Sequence, residues 1–269
     1  MKKSILAFFL ILALAYPFIE PYLIRVGEVT VKSRDVPAQF DGRKIVFISD
    51  IHCGPLFSAE RVTALSEQIN GLHPDMVLLG GDYIYGKKRD DVGLIRPCIS
   101  PLAGLKAPLG VFGVHGNHDN WASHKIIGEV LAEAGVVDLD NQAAWVESEG
   151  GRIRVGGVGD MWTETQNLEP TVEGTKQKDF IILLSHNPDY LDSLKDKRVD
   201  LVLSGHTHAG QINMFGLWAS APVTNKNYVS GIVETPYTKA IISNGIGETG
   251  LPIRFSAPPQ IIVLKLEKI

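Results

Sequence analysis

Residues 44–54 read KIVFISDIHCG. The run from Ile45 to Ile48 is apolar and rich in β-formers, as in a strand buried on both faces. It stops at an acid and a histidine. A buried strand would therefore finish by aiming two metal-liking side chains, Asp50 and His52, at one point.

The same ending recurs along the chain. Met76–Leu79 leads into Gly80-Gly81-Asp82, and Val111–Val114 into Gly116-Asn117-His118-Asp119. Phe180–Leu184 leads into Ser185-His186, and Leu201–Leu203 into Gly205-His206-Thr207-His208. Five of the eight histidines fall in these endings. Ligands of open α/β sheets collect at the carboxyl ends of strands. Oxygen and imidazole donors converging there are expected to hold metal, and the adjoining glycines fit tight turns.

The rest of the pattern supplies the frame. Strands are predicted over 26–33, 44–49, 75–82, 111–119, 152–160, 179–187, 200–208, 238–247 and 260–269. Helices are predicted over 58–70, behind a capping serine, and 123–135, ending in glycine. Strands alternating with helices imply one α/β domain with a β-rich C-terminal part. A chain of 269 residues is ample for it. The formal net charge is −4 and the pI about 6.1, so no basic surplus points to nucleic acid. Two cysteines, Cys53 and Cys98, do not make a disulfide framework and read as unpaired thiols.

The N-terminus stands apart. MKKSILAFFLILALAYPFIEPYLI opens with two lysines and is uncharged from Ser4 to Ile19. Ile5 to Ile19 makes roughly 22 Å of helix, against about 30 Å of bilayer core. Three readings compete: a signal anchor with Glu20 near the interface, a cleaved signal peptide, and a helix lying in the interface. The boundary is set at 1–24 for this segment and 25–269 for the catalytic domain. Lysines and arginines flank it on both sides, so the positive-inside rule leaves orientation open.

Each motif is weak alone. In order, D-x-H, G-G-D, G-N-H-D, S-H and G-H-T-H resemble the calcineurin-like metallophosphoesterase family. The apolar N-terminus, GHTHAGQ and SNGIGETGLPIRFSAPPQI resemble its membrane-associated bacterial branch. The resemblance implies a four-layer α-β-β-α sandwich preceded by an N-terminal apolar helix. It implies two divalent ions, Mn first, with Fe, Zn or Co also suited to mixed N/O donors. Asp50, His52 and His208 would hold one ion, Asn117, His186 and His206 the other, and Asp82 would bridge them. His118 would act as general acid at the leaving oxygen, oriented by Asp119. One departure is Ala209, where the family often has glycine.

The implied activity is hydrolysis of phosphoester or pyrophosphate bonds by direct attack of metal-bound hydroxide. The alternative is a non-catalytic metal-bound scaffold of the same fold. The expected location is the cell membrane, with a phosphate-containing substrate: a lipid-linked one such as UDP-2,3-diacylglucosamine, or equally a phospholipid-like, nucleotide or wall-derived ester. Trp121 and Trp162 read as pocket-lining or core residues. Asp160 reads as support for a ligand histidine, His115 as structural support, and His73 and His124 as surface or capping residues. FGLWASAP (215–222) reads as a lipid- or substrate-touching loop or as ordinary core.

Overall fold

The computed structural model describes residues 14–86, 92–214 and 221–269, with backbone also at 217–218. The strands in chain order are β1 (Arg25–Ser33), β2 (Lys44–Ile48), β3 (Met76–Leu79), β4 (Val111–Gly113), β5 (Val136–Asp138), β6 (Ala143–Ser148) and β7 (Gly151–Gly157). They continue with β8 (Ile181–Leu184), β9 (Leu201–Ser204), β10 (Asn213–Met214), β11 (Leu217–Trp218), β12 (Gly231–Glu234), β13 (Lys239–Ile242) and β14 (Gln260–Lys268). Two six-stranded sheets result, ordered β1-β14-β2-β3-β4-β5 and β12-β13-β9-β8-β7-β6. The strands that carry the motifs, β2, β3 and β4 in one sheet and β8 and β9 in the other, run parallel to their neighbours in that set. Their carboxyl ends therefore meet on one side.

Residue alternation builds the layers. Within β2, Ile45 and Phe47 join a core that also contains Ile153, Val155, Ile182 and Leu203 of the other sheet. Val46 and Ile48 point the opposite way, against α1 (Ala59–Gly71), α2 (Val92–Ile99) and α3 (Asn117–Glu133). The outer face of the second sheet buries Ile181, Leu183 and Val202 against Tyr190, Leu191 and Tyr228, which lie on short helical turns. The predicted α-β-β-α sandwich is present, with its second helical layer reduced to such turns. Phe47 is fully buried between the sheets. Its truncation to alanine would cost about 3–5 kcal/mol.

Three features differ from the sequence reading. The strand expected through residue 119 stops at Gly113, and α3 opens at Asn117 rather than near Ser123. Asp119 explains the early start, because its carboxylate accepts the N–H of Gly116 and caps the helix at 2.9 Å. Ser123, at φ −174° and ψ 99°, breaks the helix where the sequence had placed its beginning. Secondly, Cys53 and Cys98 form a disulfide between the segment after His52 and α2. Their separation of 45 residues hides that proximity in the sequence, and the bond corrects the reading of two unpaired thiols.

Thirdly, the stretch around Glu20 is packed on the domain. Residues 14–19 are helical. Glu20 and Pro21 are buried. The Glu20 carboxylate accepts the N–H groups of Ser256 and Ala257, both at 2.9 Å, and Arg254 donates its N–H to Pro17. A carboxylate expected at a bilayer interface thus has protein partners. Residues 1–13 lie outside the described residues. Among those described, no helix is long and apolar enough to cross a membrane.

Candidate metal centre

Loops zipped together by backbone hydrogen bonds carry the polar residues. Asp50 N–H donates to Gly81, His52 N–H to Asp82, and Gly247 N–H to Asp50, at 2.7–3.0 Å. Asp50, His52, Asp82, His206 and His208 all adopt left-handed backbone, with φ between 46° and 70°. That region costs a non-glycine residue about 1–2 kcal/mol and marks functional sites. Ala209 shares it at φ 53°, which gives the family's usual glycine there a backbone reason.

Asp82 is the hub. Its Oδ2 lies 3.4 Å from His52 Nε2 and 3.3 Å from His186 Nε2, while Oδ1 accepts the backbone N–H of His118. On one side, His52 Nε2 and His208 Nε2 face each other at 3.0 Å, and Asp50 Oδ1 lies 3.5 Å from His208 Nε2. On the other, His206 Nδ1 faces His186 Nε2 at 3.3 Å. Asn117 is buried, and its Oδ1 has no hydrogen-bond partner. The structure therefore brings all seven sequence-predicted residues to one place.

The outer nitrogens decide the chemistry of the inner ones. His186 Nδ1 faces the Gly80 carbonyl at 2.7 Å, His206 Nε2 that of Pro222 at 3.2 Å, and His208 Nδ1 that of Gly247 at 3.2 Å. A carbonyl only accepts, so these ring atoms carry the protons and the opposite nitrogens present lone pairs inward. Burial holds His52 and His206 down to about 3 and His208 well below its ordinary value, in the neutral, ligating form. Burial also works against charge on His186, but Asp82 beside it wins and raises its pKa. Burial and Asp82 push Asp50 up to about 6, against the charge of His186. The neutral imidazoles of His52, His206 and His208 and the carboxylates between them, with an orphaned amide oxygen beside them, fit divalent cations.

Glycine keeps the carboxylates in place. A Cβ on Gly116 would stand 2.2 Å from Asp82 Oδ1, and one on Gly205 would stand 2.3 Å from Asp50 Oδ2. The site opens into a cavity of about 260 Å³ whose lining includes His52, Asp82, Asn117, His118 and Trp162. His118 also borders an adjoining cavity of about 530 Å³ with Trp121, Thr249 and Gly250. Its ring lies 4.8 Å from that of Trp121, and Trp162 meets His206 edge-on at 4.4 Å. Both tryptophans therefore sit at the mouth.

Asp119 behaves differently from the expectation. Rather than orienting the His118 ring, its oxygens accept the N–H groups of Asp82, Tyr83 and Gly116 at 2.7–2.9 Å. It fixes two turns against each other, and His118 Nδ1 is buried with no partner. Asp160 likewise shapes a turn, accepting from Trp162 N–H and from the Thr163 N–H and hydroxyl. His73 is a surface residue bonded to its own helix end. Residues 215–220, most of the apolar loop, have no described side chains.

Sequence reasoning missed Arg254. It is fully buried behind His208, donating Nη1 to the carbonyls of Asn244 and Ala257 and Nη2 to that of Gly247. Its Nη2 lies 3.4 Å from His208 Nδ1. The available signal was an arginine inside an otherwise apolar LPIRF stretch, where a buried guanidinium needs several carbonyls.

Comparison with known proteins agrees with this geometry. The sequence profile of the calcineurin-like phosphoesterase family matches residues 43–210. An uncharacterized metallophosphoesterase of Bacillus subtilis, YkuE, is 33% identical over 254 residues, covering 93% of this chain and 88% of its own. The phosphodiesterase YaeI of Escherichia coli is 30% identical, with 83% and 82% covered. The Haemophilus influenzae NAD nucleotidase shares the fold, with a TM-score of 0.50 at 14% identity, over 76% of this chain and 50% of that one. With its motifs converged at the ends of parallel strands and the profile matched from Arg43 to Gly210, the chain belongs to the calcineurin-like phosphoesterase family of metal-dependent hydrolases.

Proposed function

We propose that the chain hydrolyses a phosphodiester or pyrophosphate bond of an apolar, membrane-associated substrate, using two divalent ions held by its seven converged side chains. Asp50, His52 and His208 would hold one ion and Asn117, His186 and His206 the other, with Asp82 between. The observation that carries this reading is the pair of facing imidazoles on either side of Asp82, at 3.0 and 3.3 Å. Mixed nitrogen and oxygen donors suit Mn, with Fe, Zn or Co as the other candidates. When bound, two such ions would supply positive charge for the phosphate and would lower the pKa of a water towards ~7. His118, open to both cavities, holds a proton for the leaving oxygen. Asp119 fixes the turns that carry His118 and Asp82, and Arg254 fixes the carbonyl behind His208.

Two features support the substrate class. The cavity beside His118 is walled by Trp121, Thr249 and Gly250, a surface suited to an apolar group. Leu14, Phe18, Ile19, Tyr22 and Leu23 are exposed together on the segment ahead of β1, which supports attachment of residues 1–24 to lipid. The Cys53–Cys98 disulfide favours an oxidising compartment. It therefore favours an outward-facing domain and a phosphodiester found there over cytosolic UDP-2,3-diacylglucosamine.

The test is turnover by the purified chain with added Mn. Three substrates serve: a chromogenic bis-ester, a phospholipid in mixed micelles, and UDP-2,3-diacylglucosamine. Hydrolysis of the first two at pH 6–9 is expected. No turnover of any of them with two ions bound would refute the reading, and turnover of the third alone would overturn the outward-facing placement.

A further inference from the structure

Behind α3, away from the seven converged residues, a second group of donors comes together. His115 ends the turn after β4, Asp138 and Asp140 lie at the end of β5, His124 follows the break at Ser123, and Glu164 closes the Asp160 turn. His115 is fully buried, and its Nδ1 has no hydrogen-bond partner. Asp140 Oδ2 and Glu164 Oε2 are also buried without partners. Each such group costs about 1–3 kcal/mol if nothing satisfies it, and native structures contain few. Here three such atoms, His115 Nδ1, Asp140 Oδ2 and Glu164 Oε2, occur in one cluster.

His115, His124 and Asp140 are spaced as in a coordination shell, and Glu164 adjoins them at His124. Asp140 Oδ2 lies 3.8 Å from His115 Nδ1 and 3.8 Å from His124 Nδ1. Glu164 Oε1 lies 3.0 Å from His124 Nδ1. Zinc bonds of about 2.0–2.1 Å in a tetrahedron place neighbouring donors about 3.3 Å apart. One donor of each of His115, His124 and Asp140 falls within 4.8 Å of the others. Behind His115, Asp138 Oδ2 stands 3.3 Å from Nε2, the carboxylate–histidine pairing that orients a ligating imidazole. His124 Nδ1 also faces Asn120 Oδ1 at 2.9 Å. A cation would replace the proton of that contact. Three carboxylates, Asp138, Asp140 and Glu164, surround the two imidazoles, and a mostly buried cluster of that charge calls for a cation.

We propose that His115, His124, Asp140 and Glu164 form a separate, mononuclear divalent-metal site of structural zinc type. It shares no residue with the candidate dinuclear centre and needs no open position. It ties the end of β5 and α3 to the loop of Asp160–Glu164. His115 itself stands two residues before Asn117, and the loop of Asp160–Glu164 carries Trp162. The site thus holds the ligand turn and one wall of the cavity in fixed relation.

The experiment uses the full chain in detergent, stripped by chelator and dialysed against buffered zinc. Zinc per chain is counted by mass spectrometry for wild type and for His124→Gln/Glu164→Gln. These two positions are partly exposed. The wild type is expected to bind one ion more than the double variant, and equal counts overturn the proposal. Carbethoxylation of His124 by diethyl pyrocarbonate gives a second reading on wild type alone. Saturating zinc should cut labelling of His124 at least tenfold while His73 labels as before. Unchanged labelling of His124 overturns the proposal whether or not the double variant folds.

Discussion

Replacing Gly116 by alanine tests whether the carboxylate of Asp82 must stand where it does. At φ −109° and ψ −179° the backbone accepts any residue, so the effect comes from contact alone. The added Cβ would lie 2.2 Å from Asp82 Oδ1 and 2.8 Å from the Asp82 nitrogen. A carbon–oxygen contact settles at about 3.3 Å, so the carboxylate must withdraw by about 1 Å. It cannot do so freely, because Oδ2 already lies between His52 and His186 and Oδ1 holds the His118 N–H. A displacement of about 1 Å at a reacting centre costs about 10²-fold in rate, or about 2.7 kcal/mol of barrier. Overpacking should take a further 1–3 kcal/mol, roughly, from stability. The assay is kcat/KM on a chromogenic bis-ester with saturating Mn, beside metal content and thermal melting. Gly71→Ala is the control, since its Cβ meets nothing within 4 Å. A Gly116→Ala enzyme within threefold of wild type, carrying its full metal, would refute the reasoning.

Three further outcomes are expected. His118→Asn should keep both ions yet lose about 10²–10⁴ in kcat on an alkyl ester and little on an ester of an acidic phenol; an equal drop on both would sink the general-acid role. Deleting residues 1–24 should lower the melting temperature by several degrees relative to deleting 1–13, because it strips Ser256 and Ala257 of the Glu20 carboxylate, worth about 1–3 kcal/mol at about 2–4 °C per kcal/mol; equal melting would show that the contact contributes nothing. Burial raises Asp200 to about 6 from 3.8, so the folded state binds its proton more tightly than the unfolded chain. Its contribution to stability is therefore present below about pH 4 and lost as pH rises through about 6. Asp200→Asn should remove that loss, and an unchanged difference between the melting temperatures of the two proteins from pH 4 to 7 would contradict it.

Much of the site was legible because metal ligation restricts residue type. Aspartate, histidine and asparagine at strand ends are few, and parallel strands bring their ends together without further instruction. The same logic located β2, β3, β8 and β9, whose apolar runs have no other use. Elements with weak patterns escaped: α2, with Pro97 inside it, and the short β5. The early start of α3 escaped as well, because its cap is a side chain that also belongs to a catalytic-looking motif. The disulfide was illegible because pairing of two cysteines 45 residues apart depends on the tertiary path.

What supports the ligands was harder to read for a physical reason. His186, His206 and His208 are oriented by the carbonyls of Gly80, Pro222 and Gly247. Every residue has a carbonyl, so no sequence pattern marks those positions. Arg254 is the exception that can be reasoned from composition. A guanidinium in an apolar stretch must either face water or gather acceptors, and here it gathers the carbonyls of Asn244, Gly247 and Ala257. Gly247 is the residue that also faces His208 Nδ1, and the N–H of Ala257 is held by Glu20. The segment ahead of β1 and the imidazole of His208 therefore rest on the same loop. The charge of Glu20, placed at a lipid interface by hydropathy alone, has a structural use there: it satisfies two backbone donors of the loop that positions a candidate ligand.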